Sequence, residues 1–302
     1  MNIQEARSYG KKELEKSSPT AQLDADCILE EILGCDKSFL LFHREVELTG
    51  EQERHFVQAI EKRLTGLPIA YITGHKEFYG RDFTVTPDVL IPKPDTELLV
   101  ENAIEIIKKN HSDGSRLSIC DMCTGSGCVG LSILAECRDS LLNGNLPQVT
   151  LADISEKALD ITKKNISLLK LDSITPKIKV IRSNLFESVE GSFDMIVSNP
   201  PYIPHVEAEA LLEDGRREPL LALDGDVELD GNASSTDDGL AIIRNLVPQA
   251  YVRLNHSGVL VIETGEYNAR GAAGIFMENG FKNVRIIKDL SGQDRNVIGE
   301  KE

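Results

Sequence analysis

Leu117-Ser118-Ile119-Cys120-Asp121-Met122-Cys123-Thr124-Gly125-Ser126-Gly127-Cys128-Val129-Gly130 reads as an apolar strand running into a glycine loop. Gly125-x-Gly127-x-x-Gly130 opens the next helix, and glycines there permit a tight turn and close approach of backbone to ligand. Asp153, at the end of the following strand, is placed to hold a pair of ribose hydroxyls. The loop alone is compatible with a nicotinamide dinucleotide, with an adenosyl cofactor, or with a turn that binds nothing. Asp121 favours S-adenosyl-L-methionine: a carboxylate four residues before the first glycine can pair with a cationic amino acid tail, whereas it repels a pyrophosphate.

Outward from this loop, helix and strand alternate. The spacing predicts helices at about 95–110, 127–138, 155–169, 239–254 and 267–279, with strands at 117–123, 148–153, 177–182, 193–198, 258–263, 283–288 and 295–299. Repeated βα units with apolar strands imply an α/β fold whose mostly parallel sheet is covered on both faces. Ligands of such sheets sit beyond the carboxyl ends of the strands, at the switch point. Residues 3–65 show only helical periodicity, with Leu14, Cys27, Ile28, Ile32, Leu33, Phe56, Ile60 and Leu64 on buried faces, until Gly66 and Pro68 stop it. A small helical bundle over 1–75 is expected, then a hairpin linker over 76–92 with strands at Phe78-Tyr79-Gly80 and Phe83-Thr84-Val85-Thr86, then the sheet domain over 93–302.

The 302 residues carry 49 acidic and 33 basic side chains, a net charge of −16, which argues against a nucleic-acid clamp. Residues 205–238 hold 11 acids against 2 bases, more than half of that excess. The opening residues lack a basic and apolar leader, and no run approaches the length of a membrane span. Six cysteines at this low density fit reduced thiols and a cytoplasmic location. Cys120-x-x-Cys123 and Cys128 lack the further ligands that a structural zinc needs and read as small thiols packed at a strand end, so no metal is expected.

The second informative stretch is Phe193-Asp194-Met195-Ile196-Val197-Ser198-Asn199-Pro200-Pro201-Tyr202, an apolar strand closed by an Asn-Pro-Pro-Tyr turn. An amide or aromatic amino nitrogen has a delocalised lone pair and must be held with that pair aimed at an incoming methyl group. The Asn199 side-chain oxygen can accept one of its N–H groups and the Pro200 carbonyl the other. Tyr202 can stack on the planar group. Orientation of this kind supplies roughly 7–11 kcal/mol of a barrier, so no strong base is required and Asn199 is a positioner.

With Asp121-x-x-Thr124-Gly125-Ser126-Gly127, Asp153, Ser183-Asn184-Leu185-Phe186 and Asn199-Pro200-Pro201-Tyr202 in order, the chain resembles the peptide chain release factor glutamine methyltransferase family. The segments 66–74, 78–80 and 89–97, Glu218-Pro219, Asp238-Gly239-Leu240 and 288–295 are similar to that family as well, so the resemblance spans nearly the whole chain. It implies a Rossmann-like methyltransferase sheet of seven strands, the last antiparallel, and a helical N-terminal domain that helps dock the substrate. It further implies transfer of a methyl group from S-adenosyl-L-methionine to the glutamine of the Gly-Gly-Gln loop in release factors. On this resemblance Asp121, Cys123, Thr124, Gly125, Ser126, Gly127 and Asp153 hold the cofactor, Asn184 and Leu185 flank adenine, and Asn199, Pro200, Pro201 and Tyr202 hold the glutamine amide. A monomer that acts on release factors, with no nucleic-acid or membrane partner, is expected.

The sequence departs from the family pattern at Cys123, where glycine is usual, at Lys93 for arginine, at Asn184 for aspartate, and at Thr264. A larger departure is the stretch Asp226 to Asp237, read as a solvated acidic loop. The acidic stretch as a whole, through Asp224, Asp226, Glu228 and Asp230, is expected to steer a basic surface of the partner. Competing readings are methylation of another protein glutamine or of an adenine amine in nucleic acid, a nicotinamide oxidoreductase, and a non-catalytic release-factor binder. The oxidoreductase reading leaves Asn199 to Tyr202 without a role, and none of His43, His55, His75, His111, His205 and His256 falls near a motif as a hydride-relay acid.

Overall fold

The computed structural model describes residues 1–110, 117–141, 146–171 and 177–302; His111 lies outside them. The described chain packs as two compact units, one of Met1–His75 with Leu211–Arg217 and one of Lys76–Ala210 with Glu218–Glu302.

The first unit consists of α1 (Ile3–Leu14), α2 (Ala21–Leu33), α3 (Lys37–Phe42), α4 (Gly50–Leu64) and α5 (Ile69–Thr73). α1 and α4 begin with capping boxes, Asn2 with Glu5 and Thr49 with Gln52, each satisfying two otherwise orphaned N–H groups. Ile3, Leu14, Ile28, Leu29, Leu40, Phe56 and Ile60 are buried between the helices, whereas Leu64 is exposed. Two buried aspartates are paired: Arg7 grips Asp26 at 2.7 and 2.9 Å, and Arg63 reaches Asp24 at 2.8 Å. Segment 211–217 joins through a crossing of two glycines. A Cβ on Gly66 would sit 1.9 Å from the Asp214 carbonyl oxygen, and one on Gly215 would sit 2.0 Å from that of Thr65.

In the second unit a hairpin of β1 (His75–Phe78) and β2 (Arg81–Thr84) precedes the sheet. The predicted strand 78–80 is instead its turn: Tyr79 and Gly80 have φ of 52° and 69°, the pair of positive values that a two-residue hairpin loop matched to strand twist demands. Phe78 and Phe83 are buried in the core of the sheet unit. The larger elements are α6 (Glu97–Asn110), β3 (Ser118–Met122), α7 (Cys128–Glu136), β4 (Gln148–Asp153), α8 (Glu156–Leu168), β5 (Ile178–Arg182), β6 (Phe193–Ser198), α9 (His205–Leu211), α10 (Ala241–Arg253), β7 (Leu254–Glu263), α11 (Ala269–Glu278), β8 (Lys282–Lys288) and β9 (Asp294–Glu300). β7 starts four residues earlier than the expected 258, because Leu254 pairs with Phe193 before an irregularity restores register at Met195 and Val259.

The seven strands run in the order β5-β4-β3-β6-β7-β9-β8, parallel from β5 to β7, with β9 antiparallel to both neighbours. Alternation along β3 sends Ile119 into a core with α6 and α7 and sends Cys120 and Met122 into a core with α10 and α11. The chain leaves β3 toward β4 and β5, then returns to lay β6 on the other side of β3. The switch point therefore falls between the carboxyl ends of β3 and β6, the glycine loop and the Asn-Pro-Pro-Tyr turn.

Candidate active site

The glycine loop is braced from within. Asp121 is buried at the end of β3, and its Oδ2 accepts from the Thr124 hydroxyl at 2.6 Å and from the Gly130 N–H at 2.9 Å. Burial pushes this carboxyl up to about 7, against the pull of those two hydrogen bonds. Gly130 is there for packing: a Cβ would meet Leu151 Cδ2 at 2.5 Å and Asp121 Cβ at 2.9 Å. Cys123 holds φ of 61°, a left-handed conformation that glycine adopts at no steric cost. Asp153 accepts from the Gly125 N–H with one oxygen and the Ser155 N–H with the other, both at 2.9 Å. Each oxygen keeps a second lone pair, enough for a vicinal diol. From behind, the buried Asn165 amide joins the loop to the hairpin, donating to the Ser126 carbonyl at 2.8 Å and exchanging hydrogen bonds with the Thr84 backbone.

Beside the loop, Met122 and Ser198 are register partners on β3 and β6, and the Ser198 hydroxyl donates to the Met122 carbonyl at 2.6 Å. The next residue, Asn199, thus stands alongside the loop. Its Nδ2 donates to the Thr96 hydroxyl oxygen at 3.1 Å. Two positions on, the Tyr202 hydroxyl donates to Glu263 Oε1 at 3.1 Å. Glu263 closes β7 and is buried, which pushes its carboxyl up to about 7, while Thr96 and Tyr202 draw it down. The turn's backbone is clasped by two glycines: a Cβ on Gly225 would meet Tyr202 Cα at 2.7 Å, and one on Gly239 the Tyr202 oxygen at 2.0 Å.

These elements surround a cavity of about 330 Å³. Its wall takes in Asp121, Cys123, Thr124, Gly125, Ser126, Asp153, Asn184, Leu185, Asn199 and Pro201 from the expected set. Gly127, Pro200 and Tyr202 do not line it: Gly127 caps α7 against Leu131 and Thr162, and the Tyr202 hydroxyl is spent on Glu263. The Ser126 hydroxyl is buried in this wall with no partner in the protein. An orphaned hydroxyl, the spare lone pairs of Asp153 and a loop free of Cβ clashes at Gly125 suit an adenosyl ligand with ribose hydroxyls and an amino acid tail.

The segment after Gly225 is exposed over 229–233 and 235–237, as a solvated loop would be, but it is locally folded and its base is buried. Val227 and Ala233 form an antiparallel bridge, and Glu228 N–H donates to the Asn232 carbonyl at 2.8 Å. Asp226 is buried and its Oδ2 accepts from Gly239 N–H at 2.8 Å, closing the stem, while Val227 to Gly231 line the cavity. The Asn184 amide donates to the Leu229 carbonyl at 2.8 Å. Two of the four carboxylates expected to steer a partner are therefore inside the protein: Asp226, and Asp224, whose Oδ2 meets His205 Nδ1 at 2.6 Å. Lys93, also on the wall, pairs with the buried Glu218 at 2.6 Å. Thr96 lies in the family-like segment 89–97 and Glu263 beside Thr264, but no role could be read for either, or for Asn165, because each is defined by a partner far along the chain.

Residues 5–74 match the model of the PrmC N-terminal domain, and residues 95–218 that of the methyltransferase small domain. The chain is 34% identical to a release factor glutamine methyltransferase of Koribacter versatilis over 100% of this chain and 99% of that one. It is 35% identical to that of Borreliella burgdorferi over 99% and 94%. A Thermus thermophilus 16S rRNA methyltransferase solved with AdoMet and guanosine is similar in fold, with a TM-score of 0.50 at 18% identity over 76% of this chain and 50% of that one. With identity at this level sustained along both partners' full lengths, the chain belongs to the release factor glutamine methyltransferase family.

Proposed function

We propose that this enzyme transfers a methyl group from S-adenosyl-L-methionine to the side-chain amide nitrogen of the glutamine in the Gly-Gly-Gln motif of peptide chain release factors. The observation that carries this reading is the placement of Asn199 beside the glycine loop, in one cavity wall, at the switch point of the sheet. The cofactor supplies an electrophilic methyl group on sulfur: the nitrogen–carbon bond forms as the carbon–sulfur bond breaks, sulfur keeps the electron pair, and one amide proton leaves to water.

Asp153 holds the ribose, Ser126 and the backbone of Thr124 and Gly125 line its approach, and Asp121 faces the cationic tail, whose charge offsets the burial that otherwise keeps this carboxyl protonated. Leu185 and Asn184, past the ribose carboxylate, flank the base. Asn199 Oδ1 accepts one N–H of the substrate amide and the Pro200 carbonyl the other, leaving the nitrogen lone pair as the exposed face. Tyr202 anchors the turn through Glu263, a role that replaces the expected stacking, and Pro201 completes the wall. The helical unit docks the factor. The enzyme acts as a monomer, and the charge of −16 favours a protein over a nucleic-acid substrate. Release factors work in the cytoplasm, and no helix among the described residues is long and apolar enough to cross a membrane.

Mass spectrometry of a purified release factor after incubation with enzyme and S-adenosyl-L-methionine is expected to locate one added methyl on that glutamine. Methyl appearing on nucleic acid, with the factor unmodified, would overturn the assignment.

A further inference from the structure

Two prolines in a row leave the Asn-Pro-Pro-Tyr turn unable to brace itself. Neither Pro200 nor Pro201 has an N–H to donate, and the proline at 201 confines residue 200 to extended backbone. The pair is therefore a stiff rod whose aim is set by what holds its two ends. On one side the Asn199 amide donates to Thr96 at 3.1 Å. On the other, Tyr202 is gripped twice by the end of β7 and the chain that leaves it: Glu263 takes its hydroxyl, and Asn268 Nδ2 donates to its carbonyl oxygen at 2.8 Å. That chain is itself fixed, since the Thr264 N–H donates to the Arg295 carbonyl on β9 at 2.8 Å.

Asn268 forgoes its ordinary task to make this contact. It stands at the N-cap of α11, where asparagine is among the strongest capping residues, yet its side chain makes no capping hydrogen bond. It is 4% exposed, its nitrogen is turned to Tyr202, and its Oδ1 is buried with no partner among the described residues. The opposite orientation would set Oδ1 against a carbonyl oxygen and bond nothing there. Gly239 keeps the approach open: a Cβ on it would lie 2.0 Å from the Tyr202 oxygen and 3.1 Å from Asn268 Nδ2. A residue that leaves its helix uncapped and its own oxygen unsatisfied in order to hold one backbone carbonyl is there for that carbonyl.

We propose that Asn268 is a positioning residue for methyl transfer: by holding the Tyr202 carbonyl it fixes the far end of the Pro200–Pro201 rod, and with it the direction in which the Pro200 carbonyl faces the substrate amide. This rests on the methyltransferase reading of the site. Neither Asn268 nor Tyr202 lines the cavity, so the effect reaches the substrate only through the turn. A hydrogen bond bent to about 120° is largely lost. A small swing of the rod therefore loosens the amide and turns its lone pair away from the methyl group.

Asn268→Ser keeps an oxygen that can cap α11 but ends a bond too short to reach Tyr202, and Asn268→Asp keeps the shape and the cap but has no N–H to donate. A capping role alone predicts wild-type behaviour of both. Instead kcat is expected to fall about tenfold, less than the ~100-fold of a full misplacement because Thr96 and Glu263 still hold the turn. KM for the factor and calorimetric affinity for S-adenosylhomocysteine should stay within about threefold, as befits an interaction that acts on the transition state. In protein labelled with ¹³C at tyrosine carbonyls, the Tyr202 signal should move upfield in both variants as its hydrogen bond is lost. Turnover within about twofold of wild type, an unmoved Tyr202 signal, or kcat and cofactor affinity falling together would overturn the proposal. If Asn268→Asp fails to fold, Asn268→Ser decides. Wild-type enzyme that leaves the factor unmethylated would instead remove the reading on which the proposal rests.

Discussion

Asn199 has no acid–base chemistry to offer, so its contribution lies in geometry, and removing it should separate catalysis from binding. Asn199→Ala is expected to cut turnover about 100-fold or more, with calorimetric affinity for S-adenosylhomocysteine changed less than about threefold. Turnover within twofold of wild type would exclude an amide clamp at this position. The same scale explains two other features of the site. Cys123 pays for its positive φ with about 1 kcal/mol of strain, which is why glycine is the usual residue there. Its thiol, and those of Cys120 and Cys128, are driven upward by burial, away from the thiolate form that nucleophilic or redox chemistry needs.

Among the elements, the hairpin that follows Gly225 shapes the cavity wall. It is inserted between Gly225 and Gly239, the two glycines that clasp the Tyr202 backbone, and its tip reaches the end of β5 through the Asn184–Leu229 contact. It therefore closes one wall of the cavity without touching the glycine loop's own bracing. An aspartate at 184 could not donate to that carbonyl and would oppose it with negative charge. Asn184→Asp should weaken S-adenosylhomocysteine binding by about 1 kcal/mol, roughly fivefold, with kcat at saturation nearly unchanged. Affinity equal to wild type in a calorimetric titration would show that the hairpin does not retain the cofactor.

At the scale of the whole molecule, two buried carboxyls set the pH response. Asp121 and Glu263 titrate at about 7 in the folded chain and near 4 when unfolded. Between those values the native state binds more protons, so stability falls as pH rises, by up to ~1.4 kcal/mol per pH unit for each group, and levels off above 7. Asp153 and Glu30 are shifted the same way, and His205, raised by Asp224, loses its stabilisation as pH climbs beyond its ordinary range. Asp214, Asp238 and Asp289 are held low and act below that window. Urea midpoints of the cofactor-free protein should drop from pH 5 to 7, less steeply in Glu263→Gln; a rise across that interval would contradict this account. The acidic stretch is likewise less free than its charge implies, since Glu218 meets Lys93, Asp214 meets Arg216 and Asp238 meets Arg244. Only exposed members such as Glu207, Glu213, Asp230 and Asp237 are left to act on a partner.

The glycine loop, Asp153, the Asn199 turn and the βα alternation were all readable along the chain, because each follows from short-range rules: glycine where backbone must turn tightly, a period of two or 3.6, a proline closing a strand. The hairpin strands shifted by a few residues for an equally local reason, the positive φ of Tyr79 and Gly80. Thr96 and Asn199 are 103 residues apart, Tyr202 and Glu263 are 61, and Thr84 and Asn165 are 81. No spacing rule joins such pairs; strand order and register bring them together. The same holds for charge: composition counted Asp224 and Asp226 as acids, and folding took them out of water, where they hold backbone and histidine in place and no longer face a partner.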